Sequence, residues 1–205
     1  MNKILRALAI GILASLATNI SAQDKKDIFN PVHHSVTSQM IAPDARAAGM
    51  GDIGAATDAD ATSQYWNPAK YPFAISRAGV ALNYTPWLRQ LVNDMGVAYL
   101  SGYYRIGDYS AVSSSLRYFS LGEVQLDSKT SGTKPMTINP YETSFDIAYS
   151  LMLSEKFAIA AAVRWIYSDL TYKYSGDTSP GSAFAADLSL YYQNYLNIGS
   201  RECQL

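Results

Sequence analysis

From Gly79 onward, apolar and polar residues alternate along separate stretches of the chain. The stretches cover residues 79–85, 95–105, 110–124, 142–153, 157–168 and 184–192. The clearest stretch places Phe145, Ile147, Tyr149 and Leu151 between Ser144, Asp146, Ala148 and Ser150. Because side chains alternate faces along a strand, each stretch predicts a β-strand with one apolar face and one polar or small face.

Two all-β architectures share this pattern. In a soluble sandwich the apolar face points inward, whereas in a membrane barrel it faces lipid and the polar face lines the lumen. On the barrel reading, the stretch 95–105 directs Met95, Val97 and Tyr99 to its apolar face. The stretches are close to the about 9–11 residues that a tilted membrane strand needs, and longer than the about 5–6 of a typical soluble strand. Length therefore favours a transmembrane antiparallel β-barrel.

The connections between the stretches alternate in length. Residues 106–109 and 154–156 form short links, whereas 86–94, 125–141 and 171–183 are longer. Outer-membrane barrels have short periplasmic turns and longer external loops. The first strand is therefore predicted to run outward, with the longer loops outside the cell.

Aromatic residues support the same topology. The chain contains 16 Tyr and 3 Trp, residue types that suit a membrane–water boundary. Two belts are predicted, with Tyr84, Trp87, Trp165 and Tyr167 at outer strand ends and Tyr103, Tyr104, Tyr191 and Tyr192 at inner ends.

The first residues have the features of a secretory signal peptide, predicted over 1–22. Lys3 and Arg6 precede an apolar run over 7–17, which is too short to span a bilayer, and cleavage is expected after Ala22. Residues 23–43 form a polar extension. No later run of about 18 apolar residues exists, which excludes a helical membrane protein. With a net charge of −1 and no basic block, no nucleic-acid partner is expected.

Six strands cannot close a membrane barrel, since single-chain bacterial barrels have at least about eight. An open sheet would leave unpaired edges in lipid, at several kcal/mol per unsatisfied group. The chain is therefore expected to be a fragment or the product of a shortened gene.

Residues 44–78 lack strand alternation and are rich in Ala, Gly and Asp. Gly49 and Gly51 permit positive φ and close approach of the backbone. Asn67-Pro68 marks a turn just before the first strand. A dinucleotide loop at residues 49–54 is disfavoured because no βαβ pattern surrounds it.

Longer motifs carry a family resemblance. The run from Arg46 to Lys70, with its GMG and YWNPAK, resembles the N-terminal signature of FadL-like barrels. The continuation GVALNYTPWLRQLV (79–92), AYLSGYY (98–104) and SLRYFSLGE (115–123) resembles the PorV family, also called LptO. The similarity extends over about residues 42–192.

The resemblance implies a 14-stranded barrel of roughly twice this length in the cell outer membrane, with residues 44–78 inside it as a plug and the first barrel strands over 79–193. Proteins of this family are not enzymes and use no cofactor. They bind the C-terminal signal domain of secreted cargo as it leaves the type IX translocon channel, and carry it to an attachment complex containing a sortase-like protein. The alternative is a FadL-like transporter of hydrophobic small molecules, which needs an apolar pocket between plug and wall.

The tail, residues 194–205, departs from the family. Residues 197–200 match a motif that the family carries after a further strand, and residues 201–205 match nothing. A deletion or frameshift near 193–200 is the expected cause. The single cysteine, Cys203, cannot form an internal disulfide.

Three groups of residues are candidate sites. Trp87, Leu88 and Leu91 are apolar residues in an external loop, and are predicted to contact cargo or the translocon, or else to pack on the plug. The charges Arg117, Asp146, Arg164 and Asp187 lie on polar strand faces. They either hold the plug through charge pairs or give the lumen its ordinary polarity. The pair His33-His34 has no spaced ligands around it, so a solvated extension is favoured and no metal site is expected.

Overall fold

The computed structural model describes residues 36–88, 94–126, 136–170, 180–198 and 201–204. The predicted signal peptide, most of the extension 23–43, the pair His33-His34 and Leu91 lie outside the described residues.

A six-stranded antiparallel sheet forms the body of the described chain. Each of its six strands pairs with the next one along the chain. Two short strands between the third and fourth of these, β4 (Val124–Leu126) and β5 (Met136–Ile138), are not part of this sheet. The six strands of the sheet are β1 Ala78–Pro86, β2 Met95–Ile106, β3 Ser110–Leu121, β6 Tyr141–Ser154, β7 Phe157–Asp169 and β8 Gly181–Tyr192. All six predicted strands are therefore confirmed, in an up-and-down order in which each pairs with the next.

The alternation of short and long connections is also confirmed. Residues 107–109 join β2 to β3 and residues 155–156 join β6 to β7, whereas the other connections span 87–94, 122–140 and 170–180. Gly107 adopts a φ of +70° in the first short turn, a conformation that favours glycine. All the longer connections consequently lie at one end of the sheet.

Two small two-stranded hairpins are separate from this sheet. The predicted third strand was too long: β3 ends at Leu121, because Gly122 takes a φ of +77° and turns the chain. The next residues form β4 (Val124–Leu126), which pairs with β5 (Met136–Ile138). Near the end of the chain, β9 (Tyr195–Ile198) pairs with β10 (Arg201–Gln204).

One sheet face, called here the outer face, is apolar and exposed. A continuous row crosses it through paired positions: Leu82, Leu100, Leu116, Phe145, Trp165 and Phe184. Each of these side chains is at least 39% exposed. Charged residues in the body of the sheet instead alternate onto the opposite, inner face: Arg105, Arg117, Glu142, Asp146, Arg164 and Asp187. This segregation suits lipid contact, where a charge would cost about 2–4 kcal/mol at the bilayer midplane.

Strand β2 is an exception to the predicted faces. Val97 and Tyr99 lie on the covered inner face, at 0% and 1% exposure, while Leu100 and Tyr104 point outward. The prediction for this strand was wrong because β2 has large apolar residues on both faces, so that its periodicity does not select one. Tyr103 and Tyr191 are likewise buried on the inner face, and do not contribute to an outward belt.

Residues 36–76, called here the inner segment, cover the inner face. They contain a 3₁₀ helix at Thr37–Met40, helix α1 at Ala45–Gly49, helix α2 at Ser63–Trp66 and a 3₁₀ helix at Pro68–Phe73. The apolar core lies between this segment and the sheet. Tyr71 stacks on Tyr103 with ring centroids 4.5 Å apart, and Ala69 packs with Ala160 and Tyr191.

No helix in the described part of the chain is long and apolar enough to cross a membrane.

Candidate functional site

The loop that follows β1 carries two of the predicted contact residues. Trp87 is 38% exposed and Leu88 is 52% exposed, at the end of the sheet that has the longer connections. The backbone N–H of Trp87 donates to Met95 O at 3.1 Å, which closes the loop at its base. Leu88 has a φ of +47°, which is uncommon for a non-glycine residue. The described part of this loop therefore has two partly exposed apolar side chains at this end of the sheet.

The glycine motif ends helix α1. Asp44 begins the helix, its Oδ1 accepting from Ala47 N at 2.7 Å. At the other end, Gly51 N donates to Ala48 O and Asp52 N donates to Ala47 O, the paired bonds of a Schellman turn. Gly51 has a φ of +78° as this turn requires. Gly49 has open space around its Cα, so its lack of a side chain relieves no contact.

Asn67 joins three parts of the structure. Its Oδ1 accepts from Ala69 N at 3.0 Å and caps the helix that Pro68 begins. Its Nδ2 donates to Ala55 O at 3.2 Å and to Leu190 O on β8 at 2.9 Å. Pro68 O in turn accepts from Ser150 Oγ on β6 at 2.7 Å. The predicted turn is thus also an attachment point between the inner segment and the sheet.

Arg117 is a buried cation on the inner face of β3. Only 2% of it is exposed. Its guanidinium donates from Nη2 to Ser38 O and from Nη1 to Gln39 O, and lies over the Tyr65 ring at 5.7 Å. Within the described residues Arg117 forms no ion pair with a carboxylate, and its guanidinium contacts main-chain carbonyls and an aromatic ring instead. The charge is thus directed at the inner segment.

The other three predicted lumen charges form one cluster, in which Arg164 lies between Asp146 and Asp187. Arg164 Nε lies 3.4 Å from Asp146 Oδ2, and Arg164 Nη2 lies 3.6 Å from Asp187 Oδ2. Asp146 is buried and also accepts at Oδ1 from Gln64 Nε2 at 2.5 Å and from Ser115 Oγ at 2.9 Å. Because Gln64 belongs to helix α2, this charge cluster contacts the inner segment as well as the wall.

Lys70 is a buried residue that sequence analysis did not select. It is 1% exposed, and its Nζ donates to Gly54 O at 2.6 Å and to Thr57 Oγ1 at 3.3 Å. Gly54 has no room for a side chain, since an added Cβ would lie 2.4 Å from the Trp66 ring. Lys70 is the last residue of the YWNPAK motif, and Gly54 follows shortly after the GMG motif. A lysine in a polar stretch nevertheless gives no sequence signal that it is buried.

The pKa values of Lys70 and of the nearby Asp60 are both shifted by their surroundings. Burial lowers the pKa of Lys70 to about 8, although Asp60 opposes the shift. Burial alone would raise the pKa of Asp60, but hydrogen bonds from Thr62 and Ser63 and the charge of Lys70 outweigh it and lower that pKa. Asp60 also pairs with the exposed Arg46 at 3.0 Å. These contacts close residues 46–70 into a compact unit.

A cleft of about 400 Å³ separates the inner segment from β7 and β8. Its lining includes Gln39, Gln64, Arg164 and Asp187 together with the rings of Tyr65 and Trp66. The cleft is therefore mixed in polarity, with a charge pair in its wall.

Comparison with known families supplies the identity. The family described as type IX secretion system protein PorV matches residues 21–198. The chain belongs to the PorV family. A comparison with curated proteins gives no match. As a PorV-family protein the chain is an outer-membrane component of the type IX secretion system.

The predicted site residues of this PorV-family chain fall into two places. The four charges, Asn67 and Pro68 meet at the interface between inner segment and sheet, whereas Trp87 and Leu88 lie at the sheet end. Their roles stay predictions. In the described ranges, no group of His, Cys, Asp and Glu residues is arranged to hold a metal ion.

Proposed function

We propose that this chain binds the C-terminal signal domain of secreted cargo as it leaves the translocon channel, and passes it to the sortase-like attachment complex. Family membership supports the secretion role, and the exposed Trp87 and Leu88 supply a contact surface for a protein partner. Exposed apolar side chains in a wet position often mark such surfaces. The proposal places the longer connections outside the cell and the short turns in the periplasm.

Within this proposal, residues 44–78 act as the plug and 79–193 as the first barrel strands. The hydrogen bonds of Asp146 with Gln64 and of Asn67 with Leu190 O support a plug that stays seated while the loops bind partners. Within the described residues, Asp187 is joined to these contacts through its ion pair with Arg164.

The transporter alternative has weaker support. A hydrophobic solute needs an apolar pocket between plug and wall, whereas the cleft between the inner segment and β7–β8 is lined by amides and a charge pair. Burying an apolar solute against those groups would leave them without water, at about 1–3 kcal/mol for each unsatisfied group.

Deletion of the gene and profiling of surface and medium proteins test the function. Loss of type IX cargo from the surface, with accumulation in the periplasm, is expected. Normal export together with impaired fatty-acid uptake would instead favour the transporter.

Replacement of Trp87 by Ser tests the loop. It removes a large exposed apolar surface, and co-purification of cargo or translocon should fall several-fold, as for an aromatic interface residue. Ile75→Ser is a matched control, because Ile75 is fully exposed but precedes β1 at the opposite sheet end. Equal co-purification of both variants with the wild-type chain would remove the loop from the contact surface.

A further inference from the structure

The inner segment has two parts that are attached to the sheet in different ways. The part called here the base, residues 61–74, contributes to both buried apolar clusters. In one, Tyr71 and Ala74 pack with Tyr103 and Ala111, and in the other Ala69 packs with Ala160 and Tyr191. The base adds buried polar bonds, including Gln64 to Asp146 at 2.5 Å. Lifting the base would therefore expose apolar surface and break a charge-assisted hydrogen bond.

The part called here the strap, residues 36–44, contributes to neither cluster. Its contacts with the wall are hydrogen bonds from Arg117 to Ser38 O and Gln39 O, from Gln39 Nε2 to Ser144 Oγ at 3.2 Å, and from Thr85 Oγ1 to Pro43 O at 3.4 Å. Water can replace each of these partners when the strap lifts. The strap buries Ala42 and Pro43, but it lies outside both apolar clusters and so has less apolar anchoring than the base. Segments with fewer buried apolar contacts open at lower free energy.

The residues between the two parts stay with the base, because contacts such as Arg46 to Asp60 and Lys70 to Gly54 O close residues 46–70 into one unit. Between strap and base lie helix α1 and the Schellman turn, where Gly49 has open space around it and Gly51 has a positive φ. Among the described residues, the strap's hydrogen bonds to the base are those from Tyr65 OH to Gln39 O at 2.8 Å and from Trp66 Nε1 to Asp44 Oδ2 at 2.7 Å.

We propose that the strap is a releasable gate over the half of the inner face nearest the longer connections, latched by Arg117, and that it opens while the base stays seated. Thr85, Arg117 and Ser144, which hold the strap, all lie toward that end of their strands. Opening the strap uncovers the buried guanidinium of Arg117. The gate concerns the inner segment and does not depend on which partner the external loops bind.

Two serines on one strand make a matched pair of probes. Ser144 and Ser150 both lie on the inner face of β6, at 1% and 0% exposure. Ser144 is covered by Gln39 of the strap, and Ser150 by Pro68 of the base. In a Cys203→Ser background, Ser144→Cys and Ser150→Cys are each treated with N-ethylmaleimide in isolated outer membranes. The proposal expects labelling at least about tenfold faster at position 144, since the strap opens more readily than the base.

The latch is tested in the same assay. Arg117→Met removes the bonds to the strap, and should accelerate labelling at position 144 while leaving position 150 unchanged. Thr85→Val is a milder second variant that removes only the bond to Pro43 O, and the same selectivity is expected from it. Equal labelling of the two cysteines in the wild-type background, or parallel acceleration of both by these variants, would show that the inner segment moves as one body and would overturn the proposal.

Discussion

The two carboxylates that share Arg164 should differ sharply in their importance for stability. Asp146 is 5% exposed and its Oδ2 lies 3.4 Å from Arg164 Nε. The side chain of Asp187 is 53% exposed and its Oδ2 lies 3.6 Å from Arg164 Nη2. The two N···O distances are similar, so we expect burial to decide which ion pair contributes more to the free energy of unfolding.

Replacing Asp146 by Asn removes the buried charge but keeps an Oδ1 that accepts from Gln64 and Ser115. Breaking a buried pair on one side costs about 3–5 kcal/mol, because an uncompensated charge is left behind. Arg164 is partly exposed and keeps Asp187, so we expect the lower end of that range, about 3 kcal/mol. Asp187→Asn should cost no more than about 1 kcal/mol, as for solvent-exposed pairs.

Urea unfolding of the protein in lipid vesicles, followed by tryptophan fluorescence, measures both variants. Combining Asp146→Asn with Arg164→Gln completes a double-mutant cycle. Residues that interact through a charge pair should show a coupling free energy of about 0.5–3 kcal/mol. Equal destabilisation by the two Asp variants, or a coupling of zero for Asp146 and Arg164, would mean that the buried network is not held by this charge pair.

Two further changes test the inner segment. The pKa of Lys70 is about 8 in the folded protein, whereas the unfolded chain has the ordinary lysine pKa of 10.5. Between pH 8 and 10 the unfolded state therefore binds more protons than the folded state. The free energy of unfolding should consequently rise with pH in this range, by at most about 1.4 kcal/mol per pH unit. Lys70→Met should abolish that rise in the same urea assay, and a pH dependence that survives the substitution would assign it to another group. Gly51→Ala forces an L-residue into a positive φ and should destabilise by about 1–2 kcal/mol, whereas Gly49→Ala meets open space in a helix and should be neutral or stabilising. Equal thermal midpoints for the two Ala variants would contradict the Schellman turn.

The strand pattern was readable from the sequence because the outer face is apolar from strand to strand. Every large residue of the row through Leu116, Phe145 and Trp165 faces the same way. Such a face imposes a strict period of two on the chain, and the loop lengths then followed from the strand ends. The charges on polar faces, such as Arg117 and Asp146, were found for the same reason.

The inner face was harder to predict because its surroundings are not uniform. Val97 and Tyr99 are apolar residues that face inward, since the inner segment offers Tyr65 and other apolar partners there. A period of two cannot reveal this, because the partner lies far away along the chain. The same holds for Lys70, whose burial depends on Gly54 O and Thr57 arriving beside it.

By itself, the sequence determined that this is an all-β outer-membrane chain of the PorV family, with its six main strands and, in all of them but β2, their apolar face. Local alternation and long family motifs carry that information. Only the tertiary structure decided which glycine makes a turn, which carboxylate of the Arg164 pair is buried, and how strap and base differ in attachment. Those features arise from contacts between residues distant in the chain, such as Gln64 with Asp146 and Ser38 with Arg117, and no local pattern encodes them.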